Sequence, residues 1–190
     1  MTVLIICVFA LALLLGYAIV IYNGLVRVRN EVKLTWANID VLLVQRHDEL
    51  PKLIEVCKGY MQHERATLEN LAQARTRVDG ARSAGNVASV SVAEGSLRNG
   101  LSTLYAVAEG YPDLKANDLF KTLQTRISAL ETAIADRREV YNDAVMALNV
   151  RIEAFPDSLI ARRFAFVHAP MLQFTAEQTG DVNLQAAFAR

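Results

Sequence analysis

The side chains that could do chemistry in this chain are three histidines, two cysteines and a set of carboxylates set into apolar patterns. A zinc-binding H-E-x-x-H pair needs two histidines on one helical turn, and His47 and His63 are too far apart for that. His63-Glu64 beside Arg65 reads as polar helix surface or a capping contact, and His168 stands apart near the C-terminus. Cys57 is followed by Lys58, but neighbours in sequence do not face each other on a helix, so no activated thiolate is implied. There is no G-x-S-x-G, no phosphate loop and no C-x-x-C. Arg75, Glu94, Glu109, Glu131 and Arg138 interrupt or flank the apolar seams. A di-metal carboxylate centre would need two Glu-x-x-His pairs, which are missing, so these charges are expected to form ion pairs between helices. No catalytic, cofactor-binding or metal-ligating residue is assigned, and the expectation is a protein that is not an enzyme.

Composition narrows the choice further. At 190 residues, 53% of them hydrophobic and 21% charged, the chain has enough material for one domain with a sizeable core. The formal net charge is +0, which argues against nucleic acid as a partner, since that would need a surplus of Lys and Arg along one face. Cys7 lies in an apolar run and Cys57 in a helical pattern, a poor disulfide pair and consistent with a reducing compartment for the polar part.

The elements that must position these residues begin with Val3 to Tyr22, a run without charge or proline that includes Leu14 and Gly16. At about 1.5 Å per residue, roughly 20 residues span the ~30 Å hydrocarbon core, and residues 1–23 are read as a transmembrane anchor. Gly16-Tyr17-Ala18 loosely mimics a signal-peptidase site, but no basic residue precedes the run and its apolar character continues to Ile21, so an uncleaved anchor is expected. Ala12 and Gly16 have the spacing of close-packed membrane helices, although such pairs are common there. Arg27, Arg29 and Lys33 follow at once, which by the positive-inside rule puts the N-terminus outside and the bulk of the chain in the cytoplasm.

Residues 24–155 then carry helical periodicity expected to fold as an antiparallel up-and-down four-helix bundle, an all-α architecture continuous with the anchor. Leu25, Val28, Val32, Trp36, Ile39 and Leu43 form the first seam, with Trp36 as core. Asp48 is read as the cap of a second helix with Pro51 in its first turn, although the apolar phase also runs on through Leu53, Cys57 and Tyr60 as it would in one kinked helix. That second helix extends to Val78, a loop is marked by Gly80, Gly85 and Asn86, and a third helix runs from Val90 to Ala108. The fourth, capped by Asn117, keeps its seam from Phe120 to Phe155 and stops at Pro156. Residues 156–190 differ in texture: Arg162, Arg163, Phe164, Phe166, Met171, Leu172 and Phe174 make a short basic and aromatic patch. An even number of helices returns it to the membrane, where it would meet anionic lipid, or else close the bundle or pack on a neighbouring subunit.

Tyr22-Asn23, Arg29-Asn30, Trp36, Ile39-Asp40-Val41, Arg46, Asp48, Pro51, Lys58-Gly59-Tyr60 and His63-Glu64 form one group of residues; Ala106 to Glu109, Tyr111-Pro112, Glu131, Tyr141-Asn142, Asn149 and Phe155-Pro156 form another. Together they resemble the LemA family, from Tyr22 to about Phe174. Val44, Gln45 and Lys52 depart from it, where the family usually has basic residues before its Asp and an Asn after its Pro. The resemblance implies a membrane-anchored, non-enzymatic structural protein of the bacterial inner membrane that self-assembles into homo-oligomers and organises or remodels the bilayer. A membrane adaptor that recruits a protease or signalling partner is the alternative.

Overall fold

In a computed structural model, residues 1–173 of the chain are described. They form six helices and, among the described residues, no strand: α1 (Thr2–Tyr60), α2 (Arg65–Ser83), α3 (Val87–Ala108), α4 (Pro112–Ala116), α5 (Asp118–Glu153) and α6 (Asp157–Arg163). The all-helical class and the single long apolar N-terminal helix are as the periodicity indicates. α5 begins where the sequence places it, with the Asn117 side chain accepting from the Phe120 amide at 3.0 Å. α3 starts at Val87, earlier than the expected Val90, because Asn86, read as loop, caps it by accepting from the Ser89 amide at 3.0 Å.

The expected break at Asp48 and Pro51 is not there. α1 passes straight through with Pro51 inside it, and Asp48 is an exposed residue in mid-helix rather than a cap. A proline leaves the carbonyl four residues earlier without its helical donor. Here that carbonyl belongs to His47, and it accepts instead from Nε of Arg75 on α2 at 2.9 Å. The chain turns only after Tyr60, where the Glu64 amide bonds back to the Met61 carbonyl at 3.1 Å. α2 therefore starts at Arg65, much later than the sequence suggested, and Gly80 lies inside it. The turn to α3 is made at Gly85, whose φ of 65° is the left-handed conformation that costs glycine little.

Contacts divide the chain into two units. One comprises Met1–Ile39 and Arg137–Met171; the other comprises Asp40–Asp136 and, among the described residues after Met171, 172–173. In the second, Leu53 and Cys57 of α1, Leu71 of α2, Leu97, Leu101 and Leu104 of α3, Leu114 of α4 and Ile127 of α5 share one buried core. Each large aliphatic side chain hidden this way contributes about 1.5–3 kcal/mol. Gly100 of α3 lies against Leu71 of α2: a Cβ there would come within 3.3 Å of Leu71 Cδ1 and 3.7 Å of its Cα. Packing this close offsets the ~1 kcal/mol that glycine costs a helix interior.

In the first unit, Ile21, Leu25, Val32 and Ile39 of α1 and Tyr141, Val145, Leu148 and Ile152 of α5 are buried. The rings of Trp36 and Tyr141 meet with centroids 5.6 Å apart, and the Arg151 guanidinium covers Gly24. Moving up α1 from Gly24 to Trp36 thus means moving back along α5 from Arg151 to Tyr141, so the two helices are antiparallel in this unit.

Candidate membrane-proximal site

The apolar run of α1 is solvent-facing: Val3 is 71% exposed and Leu14 66%, and Gly16 has open space around its Cα. A helix this long and apolar can cross a membrane. Its last residues are the first to be packed. Ile21 is buried, and the half-buried Tyr22 ring lies 4.8 Å from the ring of Phe164 and 6.0 Å from that of Phe166, centroid to centroid.

The residues singled out as topology determinants and as the C-terminal patch partly converge here. Arg29 stacks its guanidinium 4.9 Å from the Phe166 ring centroid, and Arg163 lies 5.9 Å from that of Phe164. Arg27 and Lys33 are exposed, as are Arg162, Arg163 and Phe164. Phe166 is half-buried between Tyr22 and Arg29, Met171 is 38% exposed, and Leu172 is buried. Phe174 lies outside the described residues.

Two features of this end were not legible in the sequence. The first is α6 itself, a short helix following Pro156 and fastened by Arg151, whose guanidinium donates to the Asp157 carboxylate at 2.6 Å. The second is the path of the segment after it, which runs back along α5. The Ala169 amide and carbonyl are both held by the Asn149 side chain, at 2.9 and 3.0 Å, and the Tyr141 hydroxyl donates to the Pro170 carbonyl at 2.9 Å. His168 Nδ1 lies 3.8 Å from a Glu153 carboxylate oxygen. Tyr141 reads in sequence as a seam residue and Asn149 only as part of the family resemblance, and the returning segment gives their polar atoms a purpose.

A buried charge centre occupies the other unit. Arg46 of α1, fully buried, pairs with the equally buried Glu94 of α3, and its Nη1 lies 3.8 Å from a carboxylate oxygen of Glu131 on α5. Burial pushes the Glu131 carboxyl above its ordinary range; Arg46 and Arg98 pull it back and Glu94 adds to the rise. Tyr105 is likewise driven up by burial and then by the Glu131 charge. Glu94 and Glu131 are thus joined by an arginine, as an ion pair between helices requires. Arg46 was detectable from its spacing, since it occupies the buried seam between Leu43 and Leu50.

The remaining candidates for chemistry are dispersed. His47 Nε2 lies 2.6 Å from Arg75 Nη2, and burial first, then the Arg75 charge, lowers its pKa, so the ring accepts in its neutral form. The Cys57 thiol is fully buried and is pushed up by that burial to about 11, which leaves almost no thiolate near neutrality. His63 and Glu109 are exposed. Among the described residues these groups pair charges, staple segments together and fill the core.

Magnetosome protein MamQ 2 of Paramagnetospirillum magneticum is 24% identical over 175 residues, a match covering 80% of this chain and 64% of the relative. The chain thus spans just under two thirds of that relative's length. Protein LemA of Metamycoplasma hominis is 26% identical over 166 residues, covering 85% of this chain and 73% of the relative. A third protein, magnetosome protein MamQ of Magnetospirillum gryphiswaldense, is 33% identical over 69 residues, which is 36% of this chain. The family model for LemA matches residues 35–187, most of the sequence, and the chain belongs to the LemA family.

Proposed function

We propose that this chain is a membrane-anchored structural protein without enzymatic activity, which self-assembles and organises the membrane that holds it. The observation that carries this reading is α1: exposed apolar residues from Val3 onward continue, in the same helix and without a linker, into the packed residues from Ile21. A load applied to the bilayer would pass directly into the packed part of the protein. The finer architecture belongs to the same reading: an antiparallel four-helix bundle, its N-terminal end outside and its bundle cytoplasmic because Arg27, Arg29 and Lys33 follow the apolar run.

Self-association draws support from apolar side chains left in the open beyond the anchor. Leu34 in one unit and Val41 in the other are 57% and 56% exposed. Met146 and Val150, one turn apart on α5, are 54% and 57% exposed. Such faces suit contacts with further copies of the chain. Light scattering on the purified full chain in detergent tests this. A defined assembly several times the protomer mass is expected; a monomer that gains mass only when lysate is added would contradict it and favour the adaptor role.

A further inference from the structure

The antiparallel register of α1 and α5 sets the height of every residue at the end of α5 against the anchor. Arg151 stands level with Gly24, at the foot of the apolar run. Helical hydrogen bonding persists to Ala154, whose amide bonds to the Val150 carbonyl at 2.8 Å. Phe155, four residues beyond Arg151, therefore lies about 6 Å further toward the apolar run at about 1.5 Å per residue. That is the level of Ile21 and Tyr22. α6 starts at this level and ends at Arg163, just before Phe164, which returns to the Tyr22 ring.

The outward surface of this cap is unusual for a polar environment. Phe155 is 81% exposed and Leu159 59%, with Phe164 at 54%. Leu159 lies on α6 and Phe155 in the turn that precedes it, and Arg162 and Arg163, both exposed, follow Leu159 at the end of α6. The one carboxylate of the cap, Asp157, is taken by Arg151. The Arg151 and Asp157 pair locks the start of α6 to the end of α5, so the apolar side chains are held out by a fixed frame.

We propose that the α5–α6 cap is an interfacial wedge: Phe155 and Leu159 enter the boundary between headgroups and acyl chains of the same bilayer that α1 crosses, while Arg162 and Arg163 lie among anionic headgroups. An apolar face with flanking arginines, presented in the plane of the interface, is the chemistry that such a surface takes up. The wedge seats the protein on the bilayer by a second point besides the anchor, beside Tyr22, and adds area to one leaflet only. The proposal rests on the reading of residues 3–22 as a membrane span.

The test uses the full chain in proteoliposomes containing anionic lipid, in a Trp36→Phe background, with one tryptophan placed at a time and quenched by lipids brominated at known depths. Phe155→Trp and Leu159→Trp are both expected to be quenched by shallow bromines about twofold or more beyond Val92→Trp, whose site is exposed in the other unit. Leu14→Trp should be quenched by deep bromines. Quenching at 14 with none at 155 or 159 overturns the wedge and leaves the span intact. No quenching at 14 overturns the span, and the wedge with it. Blue-shifted emission at 155 without quenching, growing with protein density, assigns the cap to a second copy instead. Two independent positions guard against loss of one variant to misfolding.

Discussion

Removing one member of the Arg46, Glu94 and Glu131 centre should cost more than removing the pair at its heart. Arg46→Met leaves the Glu94 carboxylate buried without its cation, a change expected to cost about 3–5 kcal/mol. In Arg46→Met with Glu94→Leu only the less buried Glu131 carboxylate, which Arg98 still faces, loses a partner, and most of that loss should return. Urea melts of the full chain in detergent measure both, and a single variant within 1 kcal/mol of the parent, roughly the error of the extrapolation, would show the pair to be solvated. His47 carries a second prediction at this scale. Its folded pKa lies below the ordinary histidine value of 6.5, so the unfolded chain binds the proton more readily. Its contribution is therefore whole above pH 6.5 and is lost as pH falls from there toward the depressed folded value. His47→Gln, which keeps an acceptor for Arg75, should flatten the melting-point profile over that window. An unchanged acid slope would mean another group sets it. Sequence exposes the individual members of both sites but not their pairing: Arg75 lies 28 positions from His47, and Glu94 lies 48 from Arg46.

At the scale of the element, α1 shows where local rules give way to tertiary contacts. Asp48 and Pro51 have the form of a helix start, and only the apolar phase running on through Leu53 and Cys57 says otherwise. The overriding contact comes from α2, through the Arg75 donor that replaces the missing amide beneath Pro51. A double-mutant cycle tests this. Arg75→Met should cost about 1–3 kcal/mol by stranding the His47 carbonyl, and clearly less in a Pro51→Ala background, where the restored amide can serve that carbonyl. Equal costs in the two backgrounds would show that Arg75 acts elsewhere. The start of α5 was legible because Asn117 caps it by a side chain close in sequence, whereas Asn86, which caps α3 in the same way, reads beside Gly85 as loop. α6 was not, because its anchor is the Arg151 side chain on the preceding helix and its seven residues are too few for a periodic signal.

For the whole molecule, the helical class and the apolar N-terminal segment were legible because both rest on periodicity and composition, which a single sequence carries in full. The site was legible only as a texture. Aromatic and basic residues after Phe155 mark a surface of some kind, yet Leu172 is buried, Phe166 is sandwiched against Tyr22 and Arg29, and Phe155 is the most exposed of the group. Orientation can be tested by thiol labelling, though not at Cys57, which is fully buried. Ala84 lies exposed between α2 and α3 and serves instead. In a Cys7→Ser background, Ala84→Cys should resist an impermeant maleimide in intact spheroplasts and react once the membrane is opened; labelling of intact cells would reverse the topology.

The central claim is that the chain assembles and organises a membrane by itself. Electron cryotomography of liposomes reconstituted with the purified full chain, beside protein-free liposomes of the same lipid, tests it most directly. The account predicts clustered or ordered densities at the bilayer, with membrane curvature changed beneath them. Dispersed single copies on vesicles of unaltered shape, at every protein density tried, would contradict it.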